Sequence, residues 1–112
     1  MRRGDVWQIS LDPTVGAEIR KTRPAVIVSH DSVGILPLKV VVPITDWKPQ
    51  YAEAPWMVRL TSTKSNGLTK VSAADTFQVR SVSHARFVTQ LGTLSARQMQ
   101  EIRKALTVVL AL

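Results

Sequence analysis

The 112-residue sequence predicts a small, mainly β (α+β) domain: a compact barrel of six to seven short strands with a C-terminal amphipathic helix. Three observations lead there. Alternating or β-branched apolar runs recur between residues 6 and 91, punctuated by Pro, Gly, Asp and Ser turn signals. From Ser95 onward the apolar spacing changes from that of a strand to that of a helix. No repeat, linker or low-complexity tract divides the chain, whose length suits one core and one domain, residues 1–112.

The elements follow in order. Val6 to Leu11 reads as a strand, with Trp7, Ile9 and Leu11 alternating against Val6, Gln8 and Ser10. Asp12-Pro13-Thr14 and Gly16 end it and open a charged loop. Ala25 to Ser29 is a short β-branched run, the mark of a strand buried on both faces. A loop from His30 to Pro37 leads to Leu38–Thr45, a second buried strand that Pro43 should bend or bring to an edge. Residues 46 to 55 form a polar loop carrying Trp47 and Tyr51, followed by a strand over Trp56–Leu60 and turns over Thr61–Gly67. Lys70–Ala74 and Thr76–Val82 make one broken strand or two, and Phe87–Leu91 the last. Ser95 and Gln98 have capping-box spacing at the start of a helix whose stripe is Met99, Ile102, Leu106 and Val109-Leu110. The tail Val108–Leu112 is apolar enough to need cover, from its own core or from a partner.

Composition bounds the function. Fifteen Lys and Arg against eight Asp and Glu give a net charge of +7, which points to a polyanionic partner, most commonly nucleic acid. There are no cysteines, so disulfides and thiolate metal sites are excluded, and a reducing cytoplasm is the expected location. His30 and His84 have no metal-ligand spacing, and each reads as a loop or core histidine. Neither a phosphate-binding glycine loop nor a nucleophile elbow is present. Met1-Arg2-Arg3-Gly4-Asp5 opens no secretory signal, and no apolar run approaches the roughly 20 residues of a membrane span.

What remains suits a phosphodiester. Pro24 holds Arg23 extended at the mouth of a strand, a fixed guanidinium fork within loop reach of the Glu18 carboxylate. Thr45 offers a hydroxyl at a strand end. Trp47 and Tyr51 offer faces on which unpaired bases stack. Lys21, Lys48 and Arg80 are placed to neutralise flanking phosphates. Each residue taken alone has an ordinary explanation: a solvated loop charge, a strand threonine, an aromatic lid on the core.

Their order narrows the choice. Arg3-Gly4-Asp5-Val6-Trp7, Leu11-Asp12-Pro13-Thr14-Val15-Gly16-Ala17-Glu18, Thr22-Arg23-Pro24-Ala25-Val26-Ile27-Val28 and Val42-Pro43-Ile44-Thr45 resemble the MazF/PemK family of toxins. The likeness runs through Phe77-Gln78-Val79-Arg80-Ser81 to the C-terminal helix. It implies an SH3-like barrel, assembled as a homodimer, that cuts single-stranded RNA without metal or cofactor. The products would carry 2′,3′-cyclic phosphate and 5′-hydroxyl ends, and a cognate antitoxin, expected to be acidic, would occupy the RNA groove. By motif match Arg23 takes the catalytic arginine's place, Thr45 that of the threonine stabilising the transition state, and Glu18 that of the loop acid. Gln78 matches a recurrent glutamine on the strand facing the site, for which the resemblance implies an RNA-binding role. Two departures stand out: Ala17 and Ile19 replace polar neighbours of Glu18, and Phe77 stands where some relatives carry an acid, with Asp75 two residues earlier. A guanidinium is a poor general base, so Arg23 is expected to bind the phosphorane and Glu18 to accept the proton. Two other classes compete: a gyrase-poisoning toxin on the same barrel, and a non-catalytic nucleic-acid-binding module. Only the enzyme requires Arg23 and Thr45.

Overall fold

The computed structural model describes residues 1–112. In chain order its elements are β1 (Asp5–Ser10), β2 (Thr22–Ile27), β3 (Leu38–Asp46), β4 (Met57–Leu60), β5 (Ser72–Asp75), β6 (Arg80–Ser83), β7 (Phe87–Thr93) and α1 (Ala96–Leu110). Short 3-10 turns occupy Pro49–Glu53, Thr76–Gln78 and His84–Arg86.

Strand β3 organises the sheet. One edge pairs with β2 through Ala25–Pro43, Val26–Val42 and Ile27–Val41. The other edge is shared: Leu38–Val41 pair with β6, and Ile44–Asp46 with β5. The chain must step from one half of that edge to the other, which it does in the turn Thr76–Gln78. The region expected as one broken strand or two is therefore two. Phe77, Gln78 and Val79, expected on the second strand, lie outside it; Asp75 caps the turn by accepting the Phe77 N–H at 3.1 Å.

The ladder runs β4-β5-β3-β2-β1-β7, with β6 against β3, and every pairing is antiparallel. No ladder joins β4 to β7. Instead the loop after β4 lies against β7, where Thr93 N–H donates to the Ser65 carbonyl at 2.8 Å. The expected barrel is thus closed by a loop. Two glycines permit the approach: a Cβ on Gly67 would collide with the Leu91 carbonyl oxygen, and one on Gly92 with the Ser65 carbonyl oxygen. Asn66, wholly buried, organises this loop by accepting from the Thr63 and Leu68 N–H groups and donating to the Thr61 carbonyl.

The sheet is buried on both faces, as the continuous apolar runs imply. Val6, Val26, Val42 and Ile44 pack with Met99, Ile102 and Ala105 of α1. Ile9, Ala25, Ile27, Val41 and Val82 form a second cluster, covered by Trp7, Ile19 and Phe87. The expected capping box is present at Ser95 and Gln98. The tail, however, is not covered by its own core: Val108 is 58%, Leu110 52% and Leu112 85% exposed.

Candidate active site

Two prolines create the site. The β2–β3 ladder ends at Ala25–Pro43, with Pro24 next on β2, and neither proline has an N–H to extend it. The strands part there. Continuing the register by two residues sets Arg23 against Thr45, and both line one cavity of about 240 Å³ with Gln8, Asp46, Lys70 and Ser72.

Arg23 is held on its other side by β1, in register with Ile9. Strand β2 begins three residues before the expected Ala25, so the arginine is part of the strand rather than of the loop. It is exposed and has no hydrogen bond or ion pair from its side chain within the chain. Thr45 is half-buried and paired with Ala73 on β5. The other cation in the cavity, Lys70, is already neutralised by Asp46 at 3.1 Å. Arg23 is therefore the cation left to bind an anion there. Gln8, in register with Pro24, adds a buried carboxamide oxygen with no partner. Gln8, Asp46, Lys70 and Ser72 were not among the sequence-based candidates; their convergence depends on strand pairings between distant segments.

The loop from 11 to 21 is closed by the Leu11 N–H donating to the Lys21 carbonyl at 2.9 Å, with Lys21 in left-handed conformation (φ 69°). Glu18 Oε1 accepts the Val15 N–H at 2.6 Å and makes no ion pair with Arg23. It lines a different cavity of about 490 Å³, with Ile19, Pro43, Phe77, Gln78 and Arg80. Arg80 is half-buried there and donates to the Leu11 carbonyl at 3.4 Å. Gln78 is committed at both ends: Oε1 accepts the Ile19 N–H at 2.6 Å, and Nε2 donates to Asp75 Oδ2 at 3.1 Å. Burial pushes the Asp75 carboxyl above the usual carboxylate range, against the pull of its Gln78 and Phe77 hydrogen bonds.

The remaining candidates stand apart from both cavities. Trp47 and Tyr51 meet edge to face at 5.8 Å, and the Arg59 guanidinium lies over the Trp47 ring at 5.9 Å. Lys48 and Lys21 are exposed charges flanking this cluster and the Arg23 strand end respectively. The largest cavity, about 690 Å³ between the loop after β4 and the start of α1, holds none of the candidates. No group of three His, Cys, Asp or Glu side chains is placed to hold a metal ion. No helix is long and apolar enough to cross a membrane.

Residues 2–110 match the family model described as PemK-like, MazF-like toxin of type II toxin–antitoxin system. Endoribonuclease MazF9 of Mycobacterium tuberculosis is 34% identical over 113 residues, covering 95% of this chain and 92% of that protein. Endoribonuclease MazF of Staphylococcus saprophyticus is 31% identical, covering 100% and 92%. In fold, the chain matches MazF of Deinococcus radiodurans with a TM-score of 0.82 at 24% identity, covering 100% of this chain and 97% of that one. It also matches a mycobacterial endoribonuclease solved with its cognate antitoxin, with a TM-score of 0.78 at 19% identity over 100% of this chain and 96% of that one.

Proposed function

The chain belongs to the PemK-like, MazF-like toxins of type II toxin–antitoxin systems, and we propose that it is an endoribonuclease cutting single-stranded RNA by attack of the 2′-hydroxyl on the adjacent phosphorus. The observation that carries this reading is Arg23: an unpaired guanidinium opposite a threonine hydroxyl, in a cavity whose other cation is neutralised. The reaction passes the 2′-hydroxyl proton to a base, forms the 2′-O–P bond and breaks the bond to the 5′ oxygen, which takes a proton from solvent, leaving a cyclic phosphate and a 5′-hydroxyl.

Arg23 binds the equatorial oxygens of the phosphorane through its fork, and Thr45 donates a hydroxyl to the same anion. Glu18 is the proton acceptor: it lines the neighbouring cavity, which reaches β3 at Pro43, two residues from Thr45, and with one oxygen held by Val15 N–H its second has no partner in the chain. Lys21, Lys48 and Arg80 neutralise flanking phosphates, while Trp47 and Tyr51 receive unpaired bases on their open faces. Gln78 lines the Glu18 cavity, but reaching RNA would require release of both its present bonds. An acidic antitoxin is the natural competitor for a surface of this charge, and the exposed tail favours a homodimer.

The test is incubation with a long mixed-sequence RNA in EDTA, mapping the fragment ends. Discrete cuts with cyclic-phosphate and 5′-hydroxyl ends, lost in Arg23→Ala, are expected. Intact RNA from folded, antitoxin-free protein would refute the reading.

A further inference from the structure

Gln78 joins two elements far apart in sequence. Its carbonyl oxygen takes the backbone N–H of Ile19, in the loop after β1, and its amide nitrogen meets Asp75, at the end of β5. An amide can be turned end for end with little change of shape, so something must determine which end faces the loop. The Asp75 carboxylate does so. One oxygen accepts from Phe77 N–H and the other from Gln78 Nε2, so the group acts at both positions as an acceptor. Only the donor end of the Gln78 amide suits it, which leaves the acceptor end for Ile19.

We infer that Asp75 orients the Gln78 amide, and that the pair acts as positioning residues that tie the Glu18-bearing loop to the sheet through the Ile19 N–H. The consequence for RNA cleavage rests on the function proposed above; the tie itself does not. Several features make it decisive for this loop. Apart from the Ile19 side chain on the second core cluster, residues 15 to 20 have few attachments. Glu18 bonds only within the loop, to Val15, and Ala17, Glu18 and Arg20 are exposed. The Ile19 bond is thus the long-range polar anchor next to the proposed proton acceptor.

Hydrogen-bond polarity at the two positions allows a reciprocal test. In Asp75→Asn the new amide oxygen keeps the Phe77 cap, but its NH₂ now faces the Gln78 NH₂. Turning the Gln78 amide relieves that conflict and moves it to the Ile19 N–H. In Gln78→Glu the Ile19 bond is kept, but two carboxylates oppose each other. Combining Asp75→Asn with Gln78→Glu restores complementarity. The amide introduced at position 75 donates to one oxygen of the carboxylate introduced at position 78, whose other oxygen accepts from Ile19, with net charge unchanged.

Loop attachment is read by mapped tryptic cleavage after Arg20 and Lys21, the bond after Arg23 being protected by Pro24. Each single variant should be cut there at least about fivefold faster, and the double variant at close to the wild-type rate. Unchanged cleavage in the singles, or a double variant as susceptible as they are, overturns the tie. Should a single variant lose cooperative unfolding, amide exchange in the wild-type protein decides instead: an Ile19 N–H that exchanges as fast as that of Arg20 overturns it, and protection supports it.

For the positioning role, kcat on RNA should fall about tenfold or more in the singles with little change in KM, and recover in the double. Loosened singles with full kcat would overturn that role while leaving the tie standing. A wild-type protein inactive on RNA would refute the proposed function without touching the proteolysis result.

Discussion

Arg23 and Thr45 stand opposite each other two residues beyond the last bonded pair of β2 and β3, Ala25 with Pro43, where the prolines stop the ladder and the strands separate. The site is a fork in a sheet: Arg23 and Thr45 both stand on strands, and the loop before β5 adds Lys70 to the lining. Neither side chain needs a loop to order before it can meet a phosphate.

Arg23→Lys should fail to rescue Arg23→Ala. A point charge cannot reproduce two parallel donors on a phosphorane, so cleavage should fall by about a hundredfold or more in both variants. Single-turnover rates at saturating RNA measure this; Arg23→Lys within a few-fold of wild type would show that charge alone suffices.

Thr45→Val keeps the strand's shape and removes the hydroxyl. A loss in kcat of about ten- to a hundredfold is expected, with the thermal midpoint little changed because Thr45 makes no side-chain hydrogen bond in the chain.

Glu18→Gln keeps an acceptor for Val15 N–H and removes the base. The rate of the cleavage step, not loop stability, should report it: activity falls by about a hundredfold or more while the thermal midpoint is unchanged. Full cleavage by Glu18→Gln would reassign the proton acceptor.

Gly67→Ala should destabilise the barrel closure. Its φ is +69°, and the new Cβ would meet the Leu91 carbonyl, which is backbone and has no rotamer to escape into. A fall in Tm on the order of 10 °C is expected from the combined strain and clash.

Asp75 makes a stability contribution of distinctive sign. Its carboxyl titrates higher in the folded chain than its ordinary 3.8, so between those values the folded state binds more protons than the unfolded state. This group therefore favours folding most below about 3.8 and progressively less as pH rises through its folded pKa. Urea unfolding across that acidic range should show the wild-type protein losing stability relative to Asp75→Asn as pH increases; a difference that grows the other way would contradict the burial effect.

What the sequence determined by itself was local and patterned. The two-faced burial of Ala25, Val26 and Ile27, the Ser95–Gln98 cap and the helix stripe all depend on neighbours within a few residues, so periodicity reveals them. Arg23 and Thr45 were legible because Pro24 holds Arg23 extended and Thr45 falls at a strand end, and because the ordered motifs around them resemble a known family. Only the tertiary structure decided the rest. Gln78 left its expected strand because β5 and β6 share one edge of β3 and the chain has to step between them. Gln8 and Lys70 entered the cavity through pairings between segments distant in sequence. Glu18 was separated from Arg23 because loop hydrogen bonds to Val15 and Gln78 set where its backbone lies. Barrel closure passed to the loop carrying Asn66 because Gly67 and Gly92 allow two backbones into contact. Each of these depends on which strand lies beside which, and side-chain alternation along one strand carries no information about its neighbour.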